Sequence, residues 1–142
     1  DFREQLAPWG SWEQWASYGW VWRPRVAATW QPFARGRWAW TDRGWAWHTD
    51  EPWGSATYHY GRWAWHPQRG WVWFPGNVWA PAWVSWRRAP GYVAWAPIPP
   101  PRWPWPVYAV QVPAWRPYTP PVPVRAGFAF RVAPPRPAWR GW

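Results

Sequence analysis

The sequence predicts an all-β protein: an antiparallel meander of Trp-rich β-hairpin repeats, in a single sheet or an open barrel, with an extended Pro-rich C-terminal tail. The first observation behind this is the apolar composition, which includes 24 Trp but only one Leu, one Ile and no Met. A helix bundle would have few side chains for its core, whereas Trp, Tyr, Phe and Val favour the half-buried surface of a sheet. The second observation is an internal repeat, and the third is the concentration of proline near the C-terminus.

The repeat consists of four segments, each with an aromatic pair, a turn ending in Gly, a second aromatic pair and a proline. The turn glycines are Gly19, Gly44, Gly70 and Gly91, at intervals of 25, 26 and 21 residues. Trp-x-Trp has the period of a strand, and Gly supplies the positive φ that short hairpin loops need. We therefore expect one hairpin per segment, about seven or eight short strands between residues 10 and 97, and no helix longer than two turns within residues 35–75.

The length of each turn decides whether the two arms of a hairpin present their Trp side chains on the same face. If residues 41–44 form the loop, Trp40 lies opposite Trp45 and Trp38 lies opposite Trp47, so that all these indoles share one face. A shorter loop with a Gly bulge would divide them between two faces. We favour the first register.

Proline separates the chain into two parts. Residues 97–142 contain 14 of the 22 prolines, which exclude a long helix or a central strand and favour polyproline II or edge strands. We divide the chain into a Trp-rich β-hairpin repeat domain, residues 1–97, and an extended Pro/Arg-rich tail, residues 98–142. Residues 107–112 and 127–132 alternate without proline, and we expect them to pair as edge strands.

The charge is strongly asymmetric. All 16 basic residues are Arg, all six acidic residues lie within the first 51 positions, and the formal net charge is +10. This indicates an anionic partner, such as an acidic polysaccharide, a phosphate-bearing lipid or nucleic acid. A GC-rich genome, which enriches Arg, Ala, Pro, Gly and Trp together, is the alternative explanation. No apolar stretch reaches the length of about 18 residues that a transmembrane helix needs.

The sequence predicts no catalytic residue, no cofactor and no metal ligand. The serines (Ser11, Ser17, Ser55 and Ser85) lie in no nucleophile motif, and the adjacent Asp50 and Glu51 would diverge on a strand. The histidines (His48, His59 and His66) lack the spacing of a metal site, and we expect them to form hydrogen bonds on polar strand faces. We therefore expect that the protein is not an enzyme.

The Trp pairs have three interpretations, which the sequence leaves open: packing in the core, stacking on sugars, and contact with other subunits. Single-stranded nucleic acid also binds aromatic platforms in basic grooves, but the absence of Lys and of a known module disfavours it. The candidate interaction residues are hairpin tryptophans, arginines near them and tail tryptophans: Trp38, Trp40, Trp45, Trp47, Trp63, Trp65, Trp71, Trp73, Arg62, Arg87, Arg88, Trp103, Trp105 and Trp115.

Several longer motifs are more specific than the repeat itself. They are Tyr18-Gly19 with Val21-Trp22 and Pro24, His59-Tyr60-Gly61-Arg62-Trp63, Gly70-Trp71 with Trp73 and Pro75-Gly76, and Pro81-Ala82-Trp83-Val84 with Trp86-Arg87. On these motifs, residues 6–101 resemble a family of uncharacterised, exported, Trp-rich bacterial proteins. The resemblance implies export to the periplasm, the outer membrane surface or the extracellular space, and it implies no activity. A first residue of Asp1 rather than Met fits either a mature chain after cleavage during export or a shortened piece of a longer protein.

Together these features predict a non-enzymatic structural or accessory subunit of a bacterial cell-envelope or extracellular assembly. Its partners would be other protein subunits, bound through Trp/Arg surfaces and the Pro-rich tail. The alternative is a carbohydrate-binding module for anionic envelope or matrix glycans.

Overall fold

The computed structural model describes residues 1–89, 92–105 and 116–117. The elements are α1 (Phe2–Leu6), a 3-10 helix (Ala7–Trp9), β1 (Gly10–Trp15), β2 (Gly19–Pro24), β3 (Arg37–Thr41), β4 (Gly44–His48), α2 (Gly54–Thr57), β5 (Arg62–His66), β6 (Gly70–Phe74), β7 (Val84–Ala89), β8 (Tyr92–Pro97) and β9 (Arg116–Pro117). Eight strands lie between residues 10 and 97, and the helix within residues 35–75 has four residues. The all-β class is therefore confirmed.

The described strands form three open antiparallel sheets, with the orders β1-β2-β6-β5, β3-β4 and β8-β7-β9. A continuous meander in a single sheet would place β3 beside β2, but β6 lies there instead, with Trp22 opposite Trp73. Both of these indoles are fully buried, so this pairing closes the core. The chain between β2 and β3 leaves the sheet through Pro24 and passes through a positive φ of 57° at Phe33.

The hairpin register agrees with the sequence prediction. In the β3–β4 hairpin Trp38 lies opposite Trp47 and Trp40 lies opposite Trp45. Gly44 has a φ of +107°, and a Cβ added there would have no atom within 4 Å. Glycine is therefore favoured at this position by its backbone conformation and not by lack of space. The Thr41 hydroxyl donates to the Gly44 carbonyl over 2.7 Å and closes the turn. The equivalent Trp pairs of the β5–β6 hairpin are Trp63 with Trp73 and Trp65 with Trp71.

A second set of glycines allows the backbone to lie directly against a buried indole. The pairs are Gly10 with Trp22, Gly36 with Trp47 and Gly61 with Trp73. A Cβ added at any of these glycines would lie 2.7–2.9 Å from the indole and 2.1–2.2 Å from a main-chain carbonyl oxygen. Each glycine precedes the first Trp of its hairpin by two positions, so this contact is part of the repeat.

The main core is built largely from indoles. Its buried members are Leu6, Trp22, Trp30, Phe33, Trp47, Trp53, Ala56, Tyr58, Trp63, Trp73, Val84 and Trp95. Many of these rings meet edge to face or tilted, which is the arrangement that aromatic quadrupoles prefer. Indole N–H groups also fix the connecting segments, since Trp22 donates to the Leu6 carbonyl over 3.1 Å and Trp95 donates to the Phe33 carbonyl over 2.9 Å.

The tail contributes one strand to the described structure. Residues Arg116 and Pro117 form β9, which pairs antiparallel with β7 at the edge of its sheet. A tail segment therefore adds as an edge strand to the protein's own sheet. The two segments that the sequence singled out for this role, residues 107–112 and 127–132, lie outside the described residues.

Candidate functional site: an aromatic cleft that holds the start of the tail

The four-stranded sheet is apolar on both faces. One face carries Trp22, Trp63 and Trp73 into the main core. The other carries a smaller buried cluster of Val21, Ala64, Val72 and Phe74, with Trp15, Tyr18 and Trp103 packed against it. Because Trp103 belongs to the tail, the hairpin domain closes its second face with a residue from outside the domain boundary that the sequence predicts.

We call the surface formed by Trp15, Tyr18, His66 and Phe74 the tail cleft. Trp15 ends β1, Tyr18 lies in the turn before β2, and His66 and Phe74 end β5 and β6. The side chains of Trp15, Tyr18 and Phe74 converge, with Phe74 5.9 Å from Trp15 and 5.0 Å from Tyr18 between ring centroids. They form an aromatic floor beside the turn of the first hairpin.

The tail enters this cleft through Trp103 and Trp105. The Trp103 ring lies 5.3 Å from Phe74 and 5.8 Å from Tyr18, and it stacks on Trp15 at 6.5 Å with an interplanar angle of 14°. The Trp105 ring lies 4.5 Å from His66 and 4.9 Å from Trp103. The Tyr18 hydroxyl donates to the Arg102 carbonyl over 3.4 Å. A cavity of about 710 Å³ remains between this segment and the turn after β1.

His66 is held as a neutral ring within this cluster. Its Nδ1 accepts the main-chain N–H groups of Gln68 and Arg69 over 3.0 and 3.1 Å, so a proton there would remove both hydrogen bonds. Burial lowers the pKa of His66, and the nearby guanidinium groups of Arg69 and Arg23 lower it further against the opposing effect of Glu13. The ring can therefore pack on Trp105 without carrying a charge near neutral pH.

Glu13 positions the Trp15 side of the cleft. Its carboxylate accepts the Trp15 indole N–H over 3.0 Å and an Arg23 guanidinium N–H over 3.0 Å, and it lies 3.7 Å from Arg69. Partial burial alone would raise the pKa of Glu13, but the hydrogen bonds from Trp15 and Arg23 and the charge of Arg69 lower it overall. The carboxylate is therefore ionised near neutral pH and fixes the ring that Trp103 stacks on.

The structure divides the sequence-predicted interaction residues by burial. Trp47, Trp63 and Trp73 lie in the core with exposed fractions of 3%, 2% and 0%, so they cannot contact a partner without unfolding. Half-buried members are Trp38, Trp45, Trp65, Trp71, Arg62, Arg87, Trp103 and Trp105. Trp40 is 42% exposed, and Arg88 lies in β7 opposite Val93. Trp115 lies outside the described residues.

Of the candidates whose side chains the structure describes, Trp103 and Trp105 are the two that meet in the tail cleft. The Arg62 guanidinium instead lies 3.6 Å from the centroid of the Trp83 ring. This is a cation–π contact that includes neither Trp103 nor Trp105. The cleft residues Trp15, Tyr18, His66 and Phe74 were missed by sequence reasoning. Tyr18-Gly19 was visible as a turn and His66 as the end of a Trp-Ala-Trp-His strand, but neither signal points to a contact with the tail.

Within residues 1–89, 92–105 and 116–117, no group of three or more His, Cys, Asp or Glu side chains could hold a metal ion. The helices described there are all too short to cross a membrane.

Comparison with known proteins places the chain in a family. No curated protein and no solved structure matches it. Residues 3–102, which include the hairpins and the Pro-rich segment that leads into the tail cleft, match the model of a family of unknown function, DUF6600. The match covers more than half of the chain, and the protein therefore belongs to the DUF6600 family.

Proposed function

We propose that this protein is a non-enzymatic structural or accessory subunit of a bacterial cell-envelope or extracellular assembly. In this proposal the hairpin domain anchors the Pro-rich tail at Trp103 and Trp105 and again at β9, and the rest of the tail binds a neighbouring subunit. The observation that carries the proposal is the packing of Trp103 and Trp105 in the tail cleft. This packing supports a role in which the hairpin sheet binds Pro-rich chain segments that carry Trp.

The energetics of this packing favour a permanent anchor. Trp103 packs against the ring of Phe74, with 5.3 Å between the ring centroids. Phe74 is only 6% exposed, and removal of Trp103 would expose it further. Burying an aromatic side chain contributes about 1.5–3 kcal/mol. The segment includes Pro99-Pro100-Pro101, and polyproline geometry loses little conformational entropy on docking. We therefore expect the anchor to form within the protein's own fold.

The composition of the tail beyond the anchor supports binding to another protein. Residues 106–142 contain five Arg, no acidic residue, and Trp115, Trp139 and Trp142. Trp, Tyr and Arg are the residues most enriched at the energetic centres of protein interfaces. A segment tied at one end to a folded domain also binds a neighbour at a raised effective concentration.

The setting of this assembly is part of the proposal. The motifs around Tyr18, His59 and Pro81 resemble those of exported, Trp-rich bacterial proteins, and this resemblance supports the periplasm, the outer membrane surface or the extracellular space. A net charge of +10 also suits a protein that works beside anionic envelope components.

Two deletions test the proposal. Deletion of residues 118–142 keeps Trp103 and Trp105 in the cleft and β9 beside β7, whereas deletion of residues 98–142 removes both contacts. Sedimentation velocity measures assembly and thermal unfolding measures the fold. We expect the shorter deletion to keep the melting temperature of the full chain but to lose assembly with its partner subunits, and the longer deletion to lose both. If the protein lacking residues 118–142 assembles like the full chain, the proposed role of the tail is wrong.

A further inference from the structure

The connection between β2 and β3, residues 25–36, is a second unusual feature of the fold. Connections of this length without secondary structure are uncommon in compact domains and are often functional. Here the loop is fixed by buried anchors. Trp30 is 7% exposed and donates its indole N–H to the Glu51 carboxylate over 2.6 Å. Phe33 is 1% exposed, has a positive φ of 57°, and accepts the Trp95 indole N–H at its carbonyl.

Two grooves flank this loop, and both are lined by Val26, Ala27 and Trp30. Groove A has a volume of about 970 Å³ and groove B about 720 Å³. Groove A is also lined by Arg25, Arg35, Gly36, Arg37, His48, Thr49, Asp50, Glu51, Pro52 and Trp53. Groove B is also lined by Arg23, Pro24, Ala28, Thr29, Gln31, Trp65, Gln68, Arg69, Gly70 and Trp71. Because the two grooves share these lining residues, they adjoin, and one elongated ligand could occupy both.

The arginines of groove A, Arg25, Arg35 and Arg37, are exposed. Arg25 donates one guanidinium N–H to the Pro8 carbonyl over 3.3 Å, and a guanidinium has four further N–H groups for a ligand. The ion pairs found among the described residues join only Arg23 and Arg69 to Glu13. The two acidic residues of groove A do not neutralise them by direct contact. The Glu51 carboxylate instead accepts hydrogen bonds from the Trp30 indole and the Tyr58 hydroxyl.

This arrangement keeps the Tyr58 hydroxyl protonated. Tyr58 is fully buried, and burial together with the Glu51 carboxylate raises the pKa of its hydroxyl well above the usual value. The hydroxyl therefore remains a hydrogen-bond donor to Glu51 at any physiological pH. Because the Glu51 carboxylate in turn accepts the Trp30 indole N–H, this part of the lining of groove A is ordered before a ligand binds.

We propose that grooves A and B form a binding site for an acidic polysaccharide. Guanidinium groups bind carboxylates through paired, charge-assisted hydrogen bonds, and Arg25, Arg35 and Arg37 present three of them along groove A. Sugar hydroxyls need acceptors as well as donors, and Asp50, Gln31 and Gln68 supply these. Trp65 offers a half-buried ring in groove B, where the face of a pyranose can pack.

Nucleic acid fits these grooves less well. Binding of single strands depends on aromatic rings whose faces are open to stacked bases. The two indoles of groove A, Trp30 and Trp53, are only 7% and 8% exposed and cannot stack with bases. The half-buried rings of Trp65 and Trp71 line groove B and not groove A, which carries Arg25, Arg35 and Arg37. Neither groove is lined by a residue of the tail cleft. Polysaccharide binding is therefore independent of the proposed assembly role, and the two can be tested separately.

The test compares two triple variants with the same net charge. R25Q/R35Q/R37Q removes the groove A arginines, and R3Q/R43Q/R102Q removes three exposed arginines that line neither groove. Binding to the full-length protein is measured by calorimetry with an oligogalacturonate, a cello-oligosaccharide of equal length and a single-stranded oligonucleotide of equal charge. Melting temperatures confirm that both variants fold.

We expect oligogalacturonate binding, negligible binding of the neutral cello-oligosaccharide, and an affinity loss of about tenfold or more in R25Q/R35Q/R37Q, since each charge-assisted hydrogen bond contributes strongly. R3Q/R43Q/R102Q should bind within about twofold of the parent protein, because exposed charges outside a site act only weakly. Equal losses in the two variants would show that net charge alone attracts the ligand. That result, tighter binding of the oligonucleotide, or unchanged binding in R25Q/R35Q/R37Q would each overturn the proposal.

Discussion

Replacing Gly36 with Ala tests the backbone-on-indole contact that recurs in the hairpins. The added Cβ would lie 2.2 Å from the His48 carbonyl oxygen and 2.9 Å from two carbons of the Trp47 ring. Trp47 cannot move aside, because it is 3% exposed and packs against Trp38 and Phe33 at 5.1 and 6.0 Å. Gly36→Ala must therefore displace the start of β3 from β4.

Overfilling a packed core costs about 1–3 kcal/mol, and we expect the upper end of this range because one of the obstructing atoms belongs to the backbone. At roughly 4 °C per kcal/mol for a domain of this size, the melting temperature should fall by about 10 °C. Near-UV circular dichroism during heating provides the assay. Gly19→Asn is the control, since Gly19 has a φ of +75° and nothing within 4 Å, and Asn tolerates that conformation. A Gly36→Ala protein that melts like the control would refute the close contact.

Three further predictions concern the tail cleft. Trp103→Ala should lower the free energy of unfolding by about 2 kcal/mol, roughly half the cost of losing a fully buried Trp. The control is Trp9→Ala, at a position 42% exposed, which should change the free energy of unfolding by less than about 1 kcal/mol. Urea unfolding measures both variants. Because the pKa of His66 is lowered in the folded state, its contribution to the free energy of unfolding is complete above the usual pKa of 6.5. This contribution is lost as the pH falls through the pKa of the folded state. Stability should therefore decline below pH 6.5, and His66→Asn, which keeps an acceptor, should remove this step from a pH series of unfolding curves. The pKa of Glu13 is also lowered, so its contribution to the free energy of unfolding is complete above pH 4.5 and is lost in stronger acid. Glu13→Gln should therefore reduce the fall in stability at the acid end of the same pH series. An unchanged fall would count against the Glu13 contacts.

Local features of the fold could be predicted because their causes are local. The scarcity of Leu and Ile excluded a helical core, and the glycine at position 44 fixed a turn that places Trp40 opposite Trp45. The arrangement of the hairpins could not be predicted in the same way. It depends on the pairing of Trp22 with Trp73, and the chain between these residues carries no signal for that contact.

The candidate site was predictable only from the side of the tail. Trp103 and Trp105 stood out as aromatic residues among prolines, but their partners Tyr18 and His66 looked like an ordinary turn residue and a polar strand residue. Sequence periodicity also could not separate core from surface, since Trp73 is fully buried while Trp40 is 42% exposed. The Trp residues of the β3–β4 hairpin share one face, so the burial of each depends on which part of that face packs against the rest of the protein.

The most direct test of the assembly role is to find what the tail touches in the protein recovered with its partners. A photo-reactive phenylalanine derivative replaces Trp103 in one sample and Trp139 in another, and the cross-linked peptides are identified by mass spectrometry. We predict that position 103 cross-links to the protein's own tail cleft, at residues 15–18, and that position 139 cross-links to a different polypeptide. Cross-links from position 139 confined to its own chain, in samples that still contain the assembled partners, would contradict the account.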